Sequence, residues 1–138
     1  MSTIIESKHV TINVSQKVVF DFLNDFNNIE KLLPADKISD WQSTVDDCSF
    51  KIQNAAVIPL VKSSTEPNTK IDIVSGEKAP FPFTLEVFIN EKDAVTEGYL
   101  LFKGDINMFL KMMVVKPLTH LFDHMADQLK SELEFGTS

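Results

Sequence analysis

The stretch NMFLKMMVVKPLTHLFDHMADQLKSELEF, Asn107 to Phe135, decides the fold. Met108, Met112, Val115, Leu118, Phe122, Met125, Leu129 and Leu133 recur at steps of three and four, the period of one helical face. Asn107 suits the cap position, where its side-chain oxygen can accept from an orphan backbone N–H. Pro117 removes one intrahelical hydrogen bond and marks a change of character. Before it nearly every residue is apolar; after it the helix is amphipathic. So apolar a helix needs a cover, and the rest of the chain supplies mostly strands.

Upstream of Asn107 the pattern alternates with period two. Glu6 to Val14 reads as a half-buried strand, with His9 on its polar side. Ser15 caps a short helix over Gln16 to Asn24, and a second short helix from Asn28 to Leu33 stops at Pro34. Six strand-like stretches follow, at Ile38–Val45, Cys48–Gln53, Val57–Ser64, Lys70–Ser75, Phe83–Asn90 and Ala94–Lys103, divided by turns such as Asp46-Asp47 and Glu66-Pro67-Asn68. No strand is followed by a crossover helix, so the sheet is expected to be antiparallel. The expected architecture is α+β: a curved antiparallel sheet of about seven strands wrapped round the C-terminal helix, with two short helices after strand one, in a single domain over 1–138.

Composition narrows the function classes. The net charge of −7 is spread along the chain, and no stripe of lysines with interleaved aromatics suggests nucleic-acid binding. Cys48 is the only cysteine, which excludes an intrachain disulfide or a zinc ribbon. The first residues lack the pattern of a signal peptide, and no apolar run reaches the ~20 residues of a membrane span. A reduced, cytoplasmic location without integral membrane association is the expectation.

The opening Val14-Ser15-Gln16-Lys17-Val18-Val19-Phe20-Asp21-Phe22-Leu23-Asn24-Asp25, the segment from Asn28 to Leu33-Pro34, and the long helix carrying Leu118, Leu121, Phe122 and Leu129 together resemble the helix-grip superfamily of START domains, polyketide cyclases and birch-pollen-allergen-like proteins (SRPBCC). The resemblance covers essentially the whole chain. It implies a hydrophobic cavity between sheet and helix for a lipid, a polyketide or another apolar small molecule. Members of that superfamily include enzymes, carriers, sensors and chaperone-associated proteins.

The expected cavity lining is Phe109, Met112, Met113, Phe122 and Met125 from the helix, facing Trp41, Phe50, Leu85, Val87, Tyr99 and Leu101 from the sheet. Methionine and phenylalanine make an adaptable apolar wall. Tyr99 and Trp41 would add a polar handle, and Glu97, on the parity of Tyr99, is the one carboxylate placed for acid/base work. His120 and His124, with Asp127, share a helical face at metal-pair spacing, but that face lies opposite the apolar stripe and lacks the glutamate of a metalloprotease helix. Cys48 reads as a buried, inert thiol. With four glycines there is no phosphate loop. Non-covalent binding of an apolar small molecule, with no cofactor and no metal, is therefore the expected function. A cyclase, dehydratase or hydrolase using the same cavity, and an interaction module with a filled core, are the alternatives.

Overall fold

The computed structural model describes residues 2–52 and 56–135. Among these residues eight strands form one antiparallel sheet: β1 (Thr3–Glu6), β2 (Val10–Ile12), β3 (Ile38–Ser43), β4 (Asp47–Ile52), β5 (Val57–Glu66), β6 (Lys70–Ser75), β7 (Phe83–Lys92) and β8 (Val95–Gly104). The order is β1-β8-β7-β6-β5-β4-β3, with β2 beside β1 on β8. Helix α1 (Gln16–Asn24) and two 3-10 segments, Phe26–Leu32 and Ala35–Lys37, sit between β2 and β3, and α2 (Met108–Phe135) follows the sheet. Gln53, the expected end of the second hairpin strand, lies outside the described residues.

The eighth strand arises because the expected first strand is broken in two. Glu6 pairs with Leu101 and Val10 with Gly98, four steps on one strand against three on the other. The extra residue makes a bulge at Ser7, which is 3% exposed and whose hydroxyl accepts the N–H of Leu100 at 2.9 Å. The bulge flips the parity, so Thr3 and Ile5 point inward before it and Val10 and Ile12 after it.

The caps follow the sequence. Ser15 Oγ accepts Val18 N–H at 3.3 Å at the start of α1, and Asn107 Oδ1 accepts Leu110 N–H at 2.9 Å at the start of α2. Asn68 (φ 70°) and Asp93 (φ 59°) take the left-handed turn positions that these short polar residues tolerate. Through Asp93 the chain returns with Lys92 opposite Val95, which sets the whole β7–β8 register.

The core lies between the concave face of the sheet and α2. Val114, Leu118, Leu121, Phe122, Met125, Ala126 and Leu129 are the buried residues of that helix. It rests on β1, β2, β8 and the first 3-10 segment. Its C-terminal part is tied down by polar contacts: Glu134 accepts the Asn13 N–H at 2.8 Å, and Lys130 Nζ donates to Glu134 and to the Thr11 carbonyl.

Candidate functional site

Between sheet and helices lies an apolar cavity of about 30 Å³. Each layer contributes alternate residues. Val19 and Leu23 come from α1, Phe26, Ile29 and Leu32 from the first 3-10 segment, Leu85, Val87 and Ile89 from β7, and Met125, Ala126 and Leu129 from α2. Gly98 of β8 forms part of the wall directly under Leu129. Beyond this point the interface is closed by aromatic packing. Phe102 lies 5.3 Å from Phe83, 6.3 Å from Phe81 and 5.5 Å from Phe122, centroid to centroid. These rings fill that end of the space between sheet and helix.

Of the expected residues, Leu85, Val87 and Met125 turn toward the cavity; Tyr99 borders it, but its ring lies on the outer face of β8 and does not face the helix as expected. Phe50 and Phe122 are buried in the core but away from it. Trp41 is half-buried on β3, with its ring 6.0 Å from that of Phe50.

Four other positions are corrected. Phe109 and Met112 are 72% and 81% exposed, and Met113 is exposed as well. The apolar residues surround the first turns of α2, so several faces fit the pattern equally. Packing buries Val114 and Leu118, and the first turns stand clear of the sheet. Leu101 is on the outer face, because the buried parity of β8 is Thr96, Gly98, Leu100 and Phe102. The signal that fixes this is in the hairpin: a two-residue Asp93-Ala94 loop places Ile89, Val87 and Leu85 opposite Gly98, Leu100 and Phe102.

Tyr99 borders the cavity, yet its ring is turned outward. It stacks on His9 at 3.9 Å and on Phe88 at 4.9 Å, and Lys70 Nζ sits 5.4 Å from the centre of the Phe88 ring. Burial, then the carboxylates of Glu6, Glu97 and Glu86, push the phenol pKa up, so Tyr99 stays protonated there. Glu97 is on the same outer face, 3.6 Å from His9 Nδ1 and 3.7 Å from Lys92 Nζ. Neither hydroxyl nor carboxylate therefore converges on the cavity. Cys48 is buried, and burial followed by the charge of Asp47 pushes its thiol up to about 12, which keeps it from acting as a nucleophile.

A second concavity, an open cleft of about 640 Å³, runs between the second 3-10 segment, the start of β3 and α2. It is lined by Pro34, Asp36, Lys37, Ile38, Ile52, Lys116, Pro117, His120, Leu121 and His124. Sequence reasoning puts His120 and His124 on a plain solvent face with Asp127. His120 is exposed and His124 half-buried there, both border this open cleft, and Asp127 is held by Lys8 at 3.1 Å. The spacing of i, i+4, i+8 from Lys116 to His124 is legible in the chain; the wall facing it is not.

No protein-family model matches the chain, and no curated protein sequence does. Solved structures do match it in three dimensions. A START superfamily protein from Mycobacterium smegmatis superimposes with a TM-score of 0.69 at 13% identity, over 97% of this chain and 99% of that one. The protein TTHA0849 from Thermus thermophilus gives 0.77 at 10% identity, over 99% and 100%. A Thalictrum norcoclaurine synthase point mutant, solved with a transition-state analogue, gives 0.74 at 10% identity, over 100% and 98%. Likeness at such identities speaks for the fold. The chain has the helix-grip fold of START/SRPBCC proteins, its curved sheet closed by the long C-terminal helix.

Proposed function

We propose that the protein binds an apolar small molecule, lipid-like or polyketide-like, non-covalently between the sheet and α2. One observation carries this reading. Apart from Tyr99, whose ring is stacked on the outer face, every side chain of the cavity wall is apolar. A void so lined stays dry, and affinity there comes from buried hydrocarbon at about 25 cal/mol per Å². A ligand of more than a few atoms exceeds the cavity's volume of about 30 Å³, so its binding requires α2 and the sheet to separate. Met125, an unbranched side chain that repacks cheaply, lies on that seam. The single buried free cysteine suits a reduced, cytoplasmic setting.

An enzyme of the cyclase, dehydratase or hydrolase type would need polar groups converging on the same space; among the described residues Tyr99 is the one polar side chain of the wall, and its ring is stacked on the outer face. The interaction-module alternative has one observation in its favour, the exposed Met108, Phe109, Met112 and Met113 at the start of α2.

The test is a fluorescence titration with N-phenyl-1-naphthylamine, an uncharged apolar dye, together with native mass spectrometry of freshly purified protein. Saturable binding near one equivalent, or a co-purifying apolar molecule, is expected. A bare protein that leaves the dye dark overturns the reading. Self-association lost on Met108→Ser/Met112→Ser substitution would then favour the interaction module.

A further inference from the structure

We propose that the open cleft between the second 3-10 segment, the start of β3 and α2 is a separate binding site for an organic anion, of the class of a medium-chain alkyl or aryl carboxylate. The cleft shares no lining residue with the apolar cavity. Its volume of about 640 Å³ is that of a small-molecule site, for which ~300–1,000 Å³ is usual.

Its chemistry is divided in two. Ile38, Ile52, Pro117 and Leu121 supply an apolar surface that would take hydrocarbon. Lys37 and Lys116 supply positive charge, and together with His120 and His124 they supply N–H donors, with Lys116, His120 and His124 one turn apart along α2. Among the described residues neither Lys37 nor Lys116 takes part in an ion pair. The carboxylates of α2 nearest in sequence are engaged elsewhere: Asp123 accepts the Lys8 N–H at 2.8 Å, and Asp127 holds Lys8 Nζ at 3.1 Å. Asp36 is the one carboxylate of the lining, set against two lysines. In a chain of net charge −7 this is a local reversal of sign. One uncompensated positive charge beside an apolar floor matches a singly charged head on a hydrocarbon body. A free phosphate would leave the floor empty, and a neutral lipid would leave the lysines without a partner.

The experiment compares octanoate with 1-octanol, the same chain without the charge, on the intact protein. The protein has three histidines, and His9 on the outer face of the sheet serves as an internal control. Octanoate should bind saturably and move the imidazole NMR signals of His120 and His124 while leaving those of His9 in place. Lys37 and Lys116 are exposed, so the variant Lys37→Gln/Lys116→Gln should keep its fold by circular dichroism. It should weaken octanoate about tenfold or more, since charge-assisted bonds are lost, and leave 1-octanol within about twofold. Octanoate that moves neither His120 nor His124, or that binds the double variant with unchanged affinity, overturns the proposal. The outcome is separable from that of the apolar cavity, which is read with the uncharged dye.

Discussion

Replacing Gly98 with alanine should stabilise the protein and weaken its hold on an apolar ligand. Gly98 lies inside β8, opposite Ile89, with its hydrogen facing the cavity. A β-carbon built there would meet Phe88 O at 3.7 Å, Ile12 Cδ1 at 3.9 Å and Leu129 Cδ2 at 3.9 Å, all ordinary contact distances. Its φ is outside the left-handed range, so alanine adopts the native backbone without strain. Two gains then add. Removing a strand-interior glycine is worth about 0.5–1 kcal/mol, because alanine has less chain entropy to lose. Burying one methyl group in apolar surroundings adds about 0.8 kcal/mol. Together, Gly98→Ala should gain about 1–2 kcal/mol, or a Tm higher by about 2–8 °C for a chain of this size. The same methyl group occupies part of a cavity of only about 30 Å³, so the dye titration should show weaker binding. Thermal unfolding by circular dichroism, run beside the titration, reads both effects. A lower Tm would show that the sheet–helix seam has no room at Gly98; a higher Tm with unchanged dye affinity would place the ligand elsewhere.

Gly104 should behave in the opposite way: a β-carbon there falls 2.7 Å from Phe102 Cζ, and that ring is held among Phe81, Phe83 and Phe122. Gly104→Ala should cost about 1–3 kcal/mol in urea unfolding, and a neutral result would mean that the aromatic cluster is loose. Cys48, with its thiol pushed up to about 12, should resist iodoacetamide in the native protein and react once the protein is unfolded; rapid native labelling would contradict its burial. Glu134 is held below the ordinary glutamate range, first by Lys130 and then by the Asn13 N–H. Because its folded pKa is lowered, its contribution is present above the unfolded value and is lost as pH falls through the folded one. The protection factor of the Asn13 amide, its exchange rate relative to the intrinsic rate at each pH, should therefore fall on acidification below the usual glutamate range in the native protein, and Glu134→Gln should flatten that response; identical profiles would remove the carboxylate from the account.

Much of this architecture is written locally. Ser15, Asn107, Asn68 and Asp93 announce caps and turns through their own side chains, and the i, i+3, i+4 spacing from Leu118 to Leu129 announces the buried stripe that closes the sheet. The alternation of Phe83, Leu85, Val87 and Ile89 announces the inner face of β7 in the same way. Those features depend on neighbours within a turn or a few residues, so sequence by itself determined the α+β helix-grip fold and the sheet–helix seam.

Tertiary structure decided which of several apolar faces the molecule buries. β8 carries apolar residues on both parities, and only pairing with β7 turns Gly98, Leu100 and Phe102 inward and Tyr99 and Leu101 outward. The first turns of α2 are apolar all round, and the reach of the sheet, not the composition, leaves Phe109 and Met112 exposed. Phe102 and Phe122 meet from elements distant in sequence and close one end of the cavity. His120 and His124 acquire a cleft because the β3 end of the sheet lies across from them. In each case the deciding contact is between residues far apart along the chain, where periodicity carries no information.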